Sequence, residues 1–135
     1  MSNVKNGSCL CGEVSFEMDG EFNQFFLCHC KRCKKGTGTA HGANLFSTKA
    51  KLKWTSGEDK VTNFTLPTTR HAKAFCSVCG SALPSVQMRG RLVVVPAGSL
   101  DCDISIKPNA HIYVSENACW EQDIDKVQKY NELPS

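Results

Sequence analysis

The 135-residue sequence has no apolar run approaching the ~20 residues that a membrane-spanning helix needs. Its first residues, Met1-Ser2-Asn3-Val4-Lys5-Asn6-Gly7, lack the apolar stretch of a secretory signal, so a reducing, cytoplasmic location is expected. Charge of one sign is also scarce. A net charge of +3, with no long basic tail, is too weak to name nucleic acid as a partner. No Ser-His-Asp order, phosphate-cradling Gly-rich loop or paired-carboxylate signature stands out. There is no internal repeat beyond pairs of thiols, no low-complexity tract and no linker. One domain, residues 1–135, is therefore expected, and a hydrophobic fraction of 41% gives it enough apolar surface for a core.

What the sequence has in excess is cysteine, nine in all. The odd count and the missing secretory signal argue against a disulfide framework and for metal ligands. The densest stretch is Cys28-His29-Cys30-Lys31-Arg32-Cys33. Thiolates this close repel one another, and a soft or borderline cation removes the repulsion, most often Zn2+. Two further pairs exist. Cys9 and Cys11 lie between Gly7 and Gly12, and Cys76 and Cys79 form a C-x2-C knuckle followed by Gly80. Pairs from distant parts of the chain can close a four-sulfur tetrahedron, a structural zinc site whose binding free energy counts as folding free energy.

That division leaves Cys28, Cys30 and Cys33 one ligand short of a tetrahedron. Either His29, Cys102 or another residue completes a second structural site, or the fourth position is exchangeable. An exchangeable position suits an incoming thiol, whose pKa the metal lowers. Three thiolates donate much charge and make zinc a poorer Lewis acid, which favours thiol chemistry over hydrolysis. A three-ligand site is also the weaker of the two and prone to losing its ion. Cys102 and Cys119 stand alone and read as ordinary buried or surface thiols. His29, between two ligands, is expected to point away from the metal, as a surface residue. His41, His71 and His111 show no ligand-like spacing. Lys31, Arg32, Lys34 and Lys35 read as a solvated face that, beside an open metal site, attracts an acidic ligand.

Between the cysteines the pattern is that of short strands. Val14, Phe16 and Met18 alternate with Glu13, Ser15 and Glu17, a half-buried strand. Phe22 to Leu27 reads as a second strand, forming a hairpin with the first across Asp19-Gly20. A helical turn is expected from Cys30 to Lys35, ending near Gly36. Further strands are predicted over Ala43 to Phe46, Lys51 to Trp54, Val61 to Leu66, Arg91 to Val95 and His111 to Val114. Trp120, Ile124 and Val127 recur at helical spacing, which predicts a short amphipathic C-terminal helix. The fold class is thus mainly β: a small single-domain, zinc-stapled β-sheet fold.

Three motifs in order, Gly7-Ser8-Cys9-Leu10-Cys11-Gly12-Glu13-Val14, Cys28-His29-Cys30-Lys31-Arg32-Cys33 and Phe75-Cys76-Ser77-Val78-Cys79-Gly80, resemble the glutathione-dependent formaldehyde-activating enzyme family. That family shares its domain with centromere protein V. Val95 to Asp101 and Pro108 to Val114, with Trp120, resemble its C-terminal half, so the likeness covers nearly the whole chain. Cys102 departs from it, where the family often has a second acid after Leu-Asp. The resemblance implies a β-tent-like domain with two zinc ions. Cys9, Cys11, Cys76 and Cys79 match the structural ligands. Cys28, Cys30 and Cys33 match the zinc associated with glutathione and activity. The implied reaction joins glutathione to formaldehyde as S-hydroxymethylglutathione, a carbon–sulfur lyase activity in reverse, with a small-molecule thiol and an aldehyde as partners. The alternative is a non-catalytic zinc module that binds nucleic acid, a filament or another protein partner, motivated by the basic run and the centromere-protein relative.

Overall fold

A computed structural model describes residues 3–134; Met1, Ser2 and Ser135, the ends of the expected 1–135 domain, lie outside the described residues. The order of strands and helix is β1 (Val4–Ser8), β2 (Ser15–Asp19), β3 (Gln24–Cys28), α1 (Lys31–Thr37), β4 (Gly42–Ser47), β5 (Lys51–Ser56), β6 (Val61–Thr65), β7 (Ala72–Cys76), β8 (Ala82–Leu83), β9 (Ser85–Gln87), β10 (Leu92–Pro96) and β11 (Ala110–Ile112). The protein is mainly β. Its strands form three sheets, in the orders β1-β2-β5, β11-β3-β4-β10-β9 and β6-β7-β8. The β3/β11 pair is parallel and the other pairs are antiparallel.

The core follows the alternation of the strands. Val14, Phe16 and Met18 are fully buried, as their period of two requires, together with Leu45, Leu83 and Val95. Each such side chain contributes about 1.5–3 kcal/mol by leaving water. Phe16 meets Trp54 of β5 edge to face, with ring centroids 5.9 Å apart. Val93 and Val95 face inward from β10, while Val94 between them is half-buried. The helix α1 starts one residue after Cys30, its N-cap, and ends at Gly38, whose left-handed backbone lets its N–H reach Lys34 O.

Two expectations about the path of the chain are corrected. The predicted hairpin between the second and third strands does not form. β2 pairs with β1 and β5, whereas β3 pairs with β4 and β11. Asp19-Gly20 therefore hands the chain from one sheet to another instead of turning it back. The missing partner is β1, whose Val-Lys-Asn-Gly-Ser sequence has no hydrophobic period to betray it. The predicted C-terminal amphipathic helix is instead two single 3-10 turns, Cys119–Glu121 and Ile124–Lys126. Trp120, Ile124 and Val127 are all exposed, so no apolar face is buried to repay the ordering of a longer helix.

β1 and β2 approach closely where Gly7 pairs with Phe16. A Cβ on Gly7 would stand 2.1 Å from Phe16 Cζ and 2.6 Å from the Ser99 carbonyl oxygen. The phenyl ring is fully buried and has nowhere to retreat. Gly7→Ala is expected to destabilise the fold by ~1–3 kcal/mol, the usual range for overpacking. Urea unfolding measures it; an unchanged midpoint would contradict this close approach.

Candidate metal centre

Cys9 and Cys11 follow directly from β1, and Cys76 closes β7, so the two thiol pairs enter from different sheets. Their four sulfurs all lie within 4.8 Å of one another. Cys9 Sγ is 3.5 Å from Cys11 Sγ, and Cys11 Sγ is 3.9 Å from Cys76 Sγ. All nine cysteines are free thiols. Backbone amides turn toward the sulfurs: Val14 N–H donates to Cys9 Sγ over 3.3 Å, and Val78 N–H to Cys76 Sγ over 3.4 Å. Such bonds favour the thiolate form that a metal takes.

Ser81 ties the two halves together. Its hydroxyl accepts from Leu10 N–H at 2.9 Å and lies 3.2 Å from Cys79 Sγ. The Ser81 hydroxyl and amide hold the Cys79 thiol down to about 5. Cys9 is also lowered: burial opposes this, but the Val14 amide and the neighbouring thiols outweigh it. Cys11 is pushed up to about 12; the Glu13 amide works against the rise, and desolvation with the surrounding thiols produces it. This uneven ladder is what crowded sulfurs show when several negative charges compete for one small volume. A soft divalent cation at the centre would let all four ionise, so the donor set fits such an ion.

The second group is local. Cys28 ends β3, Cys30 caps α1 and Cys33 sits in its first turn. Cys33 N–H donates to Cys30 Sγ over 3.3 Å. The three sulfurs lie within 4.8 Å of one another, and among the described residues no fourth Cys, His or carboxylate joins them. Neither His29 nor Cys102 completes the set. Burial pushes Cys33 up strongly, with Cys28 and Cys30 adding to it, and Cys28 is likewise raised by burial. Cys30 is lowered, because amide and thiol hydrogen bonds outweigh the burial that opposes them.

A cavity of about 150 Å3 opens beside Cys33. Arg32, His71 and Lys73 bring nitrogen to its wall, while Phe75, Leu83 and Val94 supply apolar surface. Gly42, opposite Cys28 in the β3/β4 register, makes room there: a Cβ on it would meet Cys33 Sγ at 3.6 Å. Lys34 is not available to this cavity in the same way, since its Nζ donates to the Glu116 carbonyl.

The histidines depart from expectation. His29 is only 3% exposed, not a surface residue. Cys28 ends β3 and Cys30 is extended at the helix cap, and the side chain between the two thiols joins a different group of residues. There His29 Nδ1 lies 2.9 Å and 3.1 Å from the two Glu121 oxygens, and Nε2 lies 2.8 Å from His111 Nδ1. The His41 ring stands 5.2 Å from that of His29, and burial, then His29, lowers its pKa. These residues escaped notice in the sequence because their partners are 82 and 92 positions away. Ser81 left a faint signal, following directly on the knuckle. Cys102 and Cys119 are exposed and apart from both thiol groups.

With this arrangement in view, the chain belongs to the glutathione-dependent formaldehyde-activating enzyme family, whose pattern it matches over residues 4–116. A crystal structure of a Rhodobacter sphaeroides protein has a similar fold, with a TM-score of 0.59 at 18% identity, over 78% of this chain and 98% of that one. No curated protein is a significant match. Among the described residues no helix is long and apolar enough to cross a membrane.

The two thiol groups should part under acid. A thiol pushed up keeps its proton to higher pH, so protons displace a metal from it sooner as pH falls. In the Cys28 group two thiols are raised and only Cys30 is lowered, whereas in the four-sulfur group only Cys11 is raised and both Cys9 and Cys79 are lowered. Native mass spectrometry during an acid titration is expected to show the three-sulfur group emptying first. Loss of both ions in one step would rule out this ordering.

Proposed function

We propose that the protein is a zinc enzyme that adds the thiol of glutathione to an aldehyde such as formaldehyde. The observation that carries this reading is the three-sulfur group, with no fourth Cys, His or carboxylate among the described residues, set beside a cavity with a basic wall. In this reading Cys9, Cys11, Cys76 and Cys79 hold a structural zinc. Cys28, Cys30 and Cys33 would hold a second zinc, to which a substrate sulfur could be added. When bound there, the ion supplies the positive charge that keeps a thiol ionised at neutral pH.

The other parts of the chemistry fall to the chain. Arg32 and Lys73 line the cavity beside Cys33 and are placed to receive the carboxylates of a tripeptide. Phe75, Leu83 and Val94 limit water around the reacting carbon. Gly42 leaves space for the incoming sulfur next to Cys33. The reaction forms one C–S bond; the carbonyl oxygen takes up a proton and the thiol gives one to solvent, so the addition needs no oxidant or reductant. Its reversal is a carbon–sulfur lyase step. The competing reading, a module that binds a polymer through its basic run, is weakened by Glu116. Its carboxylate accepts from Lys31 N–H and its carbonyl from Lys34 Nζ, which ties that run back to the protein.

NMR exchange spectroscopy on glutathione and formaldehyde tests the reaction. Zinc-loaded protein is expected to speed exchange above the spontaneous rate, and no acceleration would sink this substrate pair. Arg32→Ala is expected to raise KM for glutathione tenfold or more, since a charge-assisted hydrogen bond is worth ~1.5–3 kcal/mol. The two zincs separate by mutation. Cys30→Ala should stay folded with one zinc fewer and no acceleration, whereas Cys76→Ala, at a fully buried ligand, should unfold much of the domain. Equal loss of structure in both would make the three-sulfur group a fold staple as well.

A further inference from the structure

At the end of β3, the sheet gathers residues that no step above uses. β4 runs antiparallel to β3, so His41, just before it, arrives at the end where β3 finishes. β11 runs parallel to β3, so its own end arrives there too, and His29 N–H continues the ladder to Ile112 O at 2.9 Å. Glu121 enters from the 3-10 turn Cys119–Glu121. We propose that His29, His41 and Glu121 form a third metal site, which takes a divalent first-row cation on two imidazole nitrogens and one carboxylate.

Three observations carry this. Donor atoms of the three residues all lie within 4.8 Å of one another. Ligands at ~2.0–2.2 Å from a tetrahedral ion stand ~3.3–3.6 Å apart, and His29 Nδ1 is already 2.9 Å and 3.1 Å from the Glu121 oxygens. Second, His41 Nδ1 is buried and has no hydrogen-bond partner. A buried imidazole nitrogen left bare is costly, and a cation on its lone pair would satisfy it. Third, the outer contacts leave His29 Nδ1 able to serve as a ligand. With Nδ1 given to the ion, His29 Nε2–H donates to His111 Nδ1 at 2.8 Å, fixing tautomer and ring plane. Glu121 is steadied likewise, because one of its oxygens accepts from Ala118 N–H at 3.2 Å. An open cleft lined by His29, Glu121 and Cys119 gives an ion a way in. Two nitrogens and a carboxylate oxygen suit zinc or ferrous iron better than calcium or magnesium.

The site stands apart from the glutathione reading, and cobalt(II) distinguishes the two. Cobalt on thiolates gives intense sulfur-to-metal charge-transfer bands, whereas cobalt on nitrogen and oxygen gives only weak ligand-field bands. The full chain carrying Cys119→Ser, which removes the thiol lining the cleft, is titrated with cobalt(II) and followed by absorption and native mass spectrometry. Expected is one more bound metal than in the same chain with His41→Ala or with the near-isosteric Glu121→Gln. The charge-transfer intensity should be equal in all three. The proposal is overturned if the count is the same with and without these substitutions. It is overturned equally if the lost metal takes charge-transfer intensity with it, since the histidines would then be serving a thiol site. Should His41→Ala disturb folding, Glu121→Gln alone decides between the two outcomes.

Discussion

The rest of the structure depends on the mutual repulsion of four sulfurs held in one place. Cys11 and Cys76 are 65 positions apart, yet their sulfurs are 3.9 Å from each other. Nothing in a metal-free thiol cluster rewards that approach strongly. A weak sulfur hydrogen bond returns little, and ionisation makes the contact repulsive. The fold nevertheless commits several elements to it. β1 delivers Cys9, β7 delivers Cys76, and Ser81 bridges from the knuckle to Leu10. The turn after β10 joins the arrangement as well: Ser8 Oγ donates to Asp101 at 2.6 Å, and Asp101 N–H donates to Asn6 O at 2.8 Å. This gives the Leu100-Asp101 motif a physical role. It pins the strand that carries the C-x-C pair. A cation at the centre would convert the repulsion into attraction and link the two segments that carry the thiols.

The three-sulfur group differs in kind because it is local. Cys28, Cys30 and Cys33 are brought together by a strand end, a helix cap and a helical turn, with no long loop to close. The ordering entropy is small, so the geometry survives without a metal to enforce it. A site of this sort can exchange its ion or a ligand without threatening the fold. Exchange is what a thiol-binding position requires. The contrast between a distant, four-sulfur closure and a local, three-sulfur one is therefore a contrast in how much of the fold depends on the ion, written in sequence separation.

Sequence separation also explains what could be read in advance. Val14, Phe16 and Met18 announce their burial by period, and the three valines of β10 by composition. The cysteine groups announce themselves by spacing. These are short-range signals, and the structure respects them. β1 is silent, because a polar strand with a glycine at its tightest contact carries no period. Its absence from the reading produced the false hairpin: without β1, the only visible partner for β2 was the next strand. Trp120, Ile124 and Val127 had helical spacing but no surface to bury against, so pattern without packing gave 3-10 turns. The histidine cluster was invisible for the same reason that the cysteines were visible. Its members come from β3, the start of β4, β11 and a late turn, and spacing rules see only neighbours in sequence.

The segment from Cys28 to Cys30 joins these ideas. Cys28 and Cys30 join Cys33 of α1, while His29 between them meets Glu121 and His111. Two chemically distinct groups thus share a stretch of main chain without sharing a ligand. One route of coupling between them is mechanical, through the backbone of residues 28 to 30 and the hydrogen bond from His29 N–H to Ile112 O. The buried His29 ring, held at both nitrogens, fixes where that main chain sits. The sulfurs on either side of it inherit the constraint. A buried histidine held at both ring nitrogens between two thiols of the three-sulfur group thus anchors the main chain from which both thiols project.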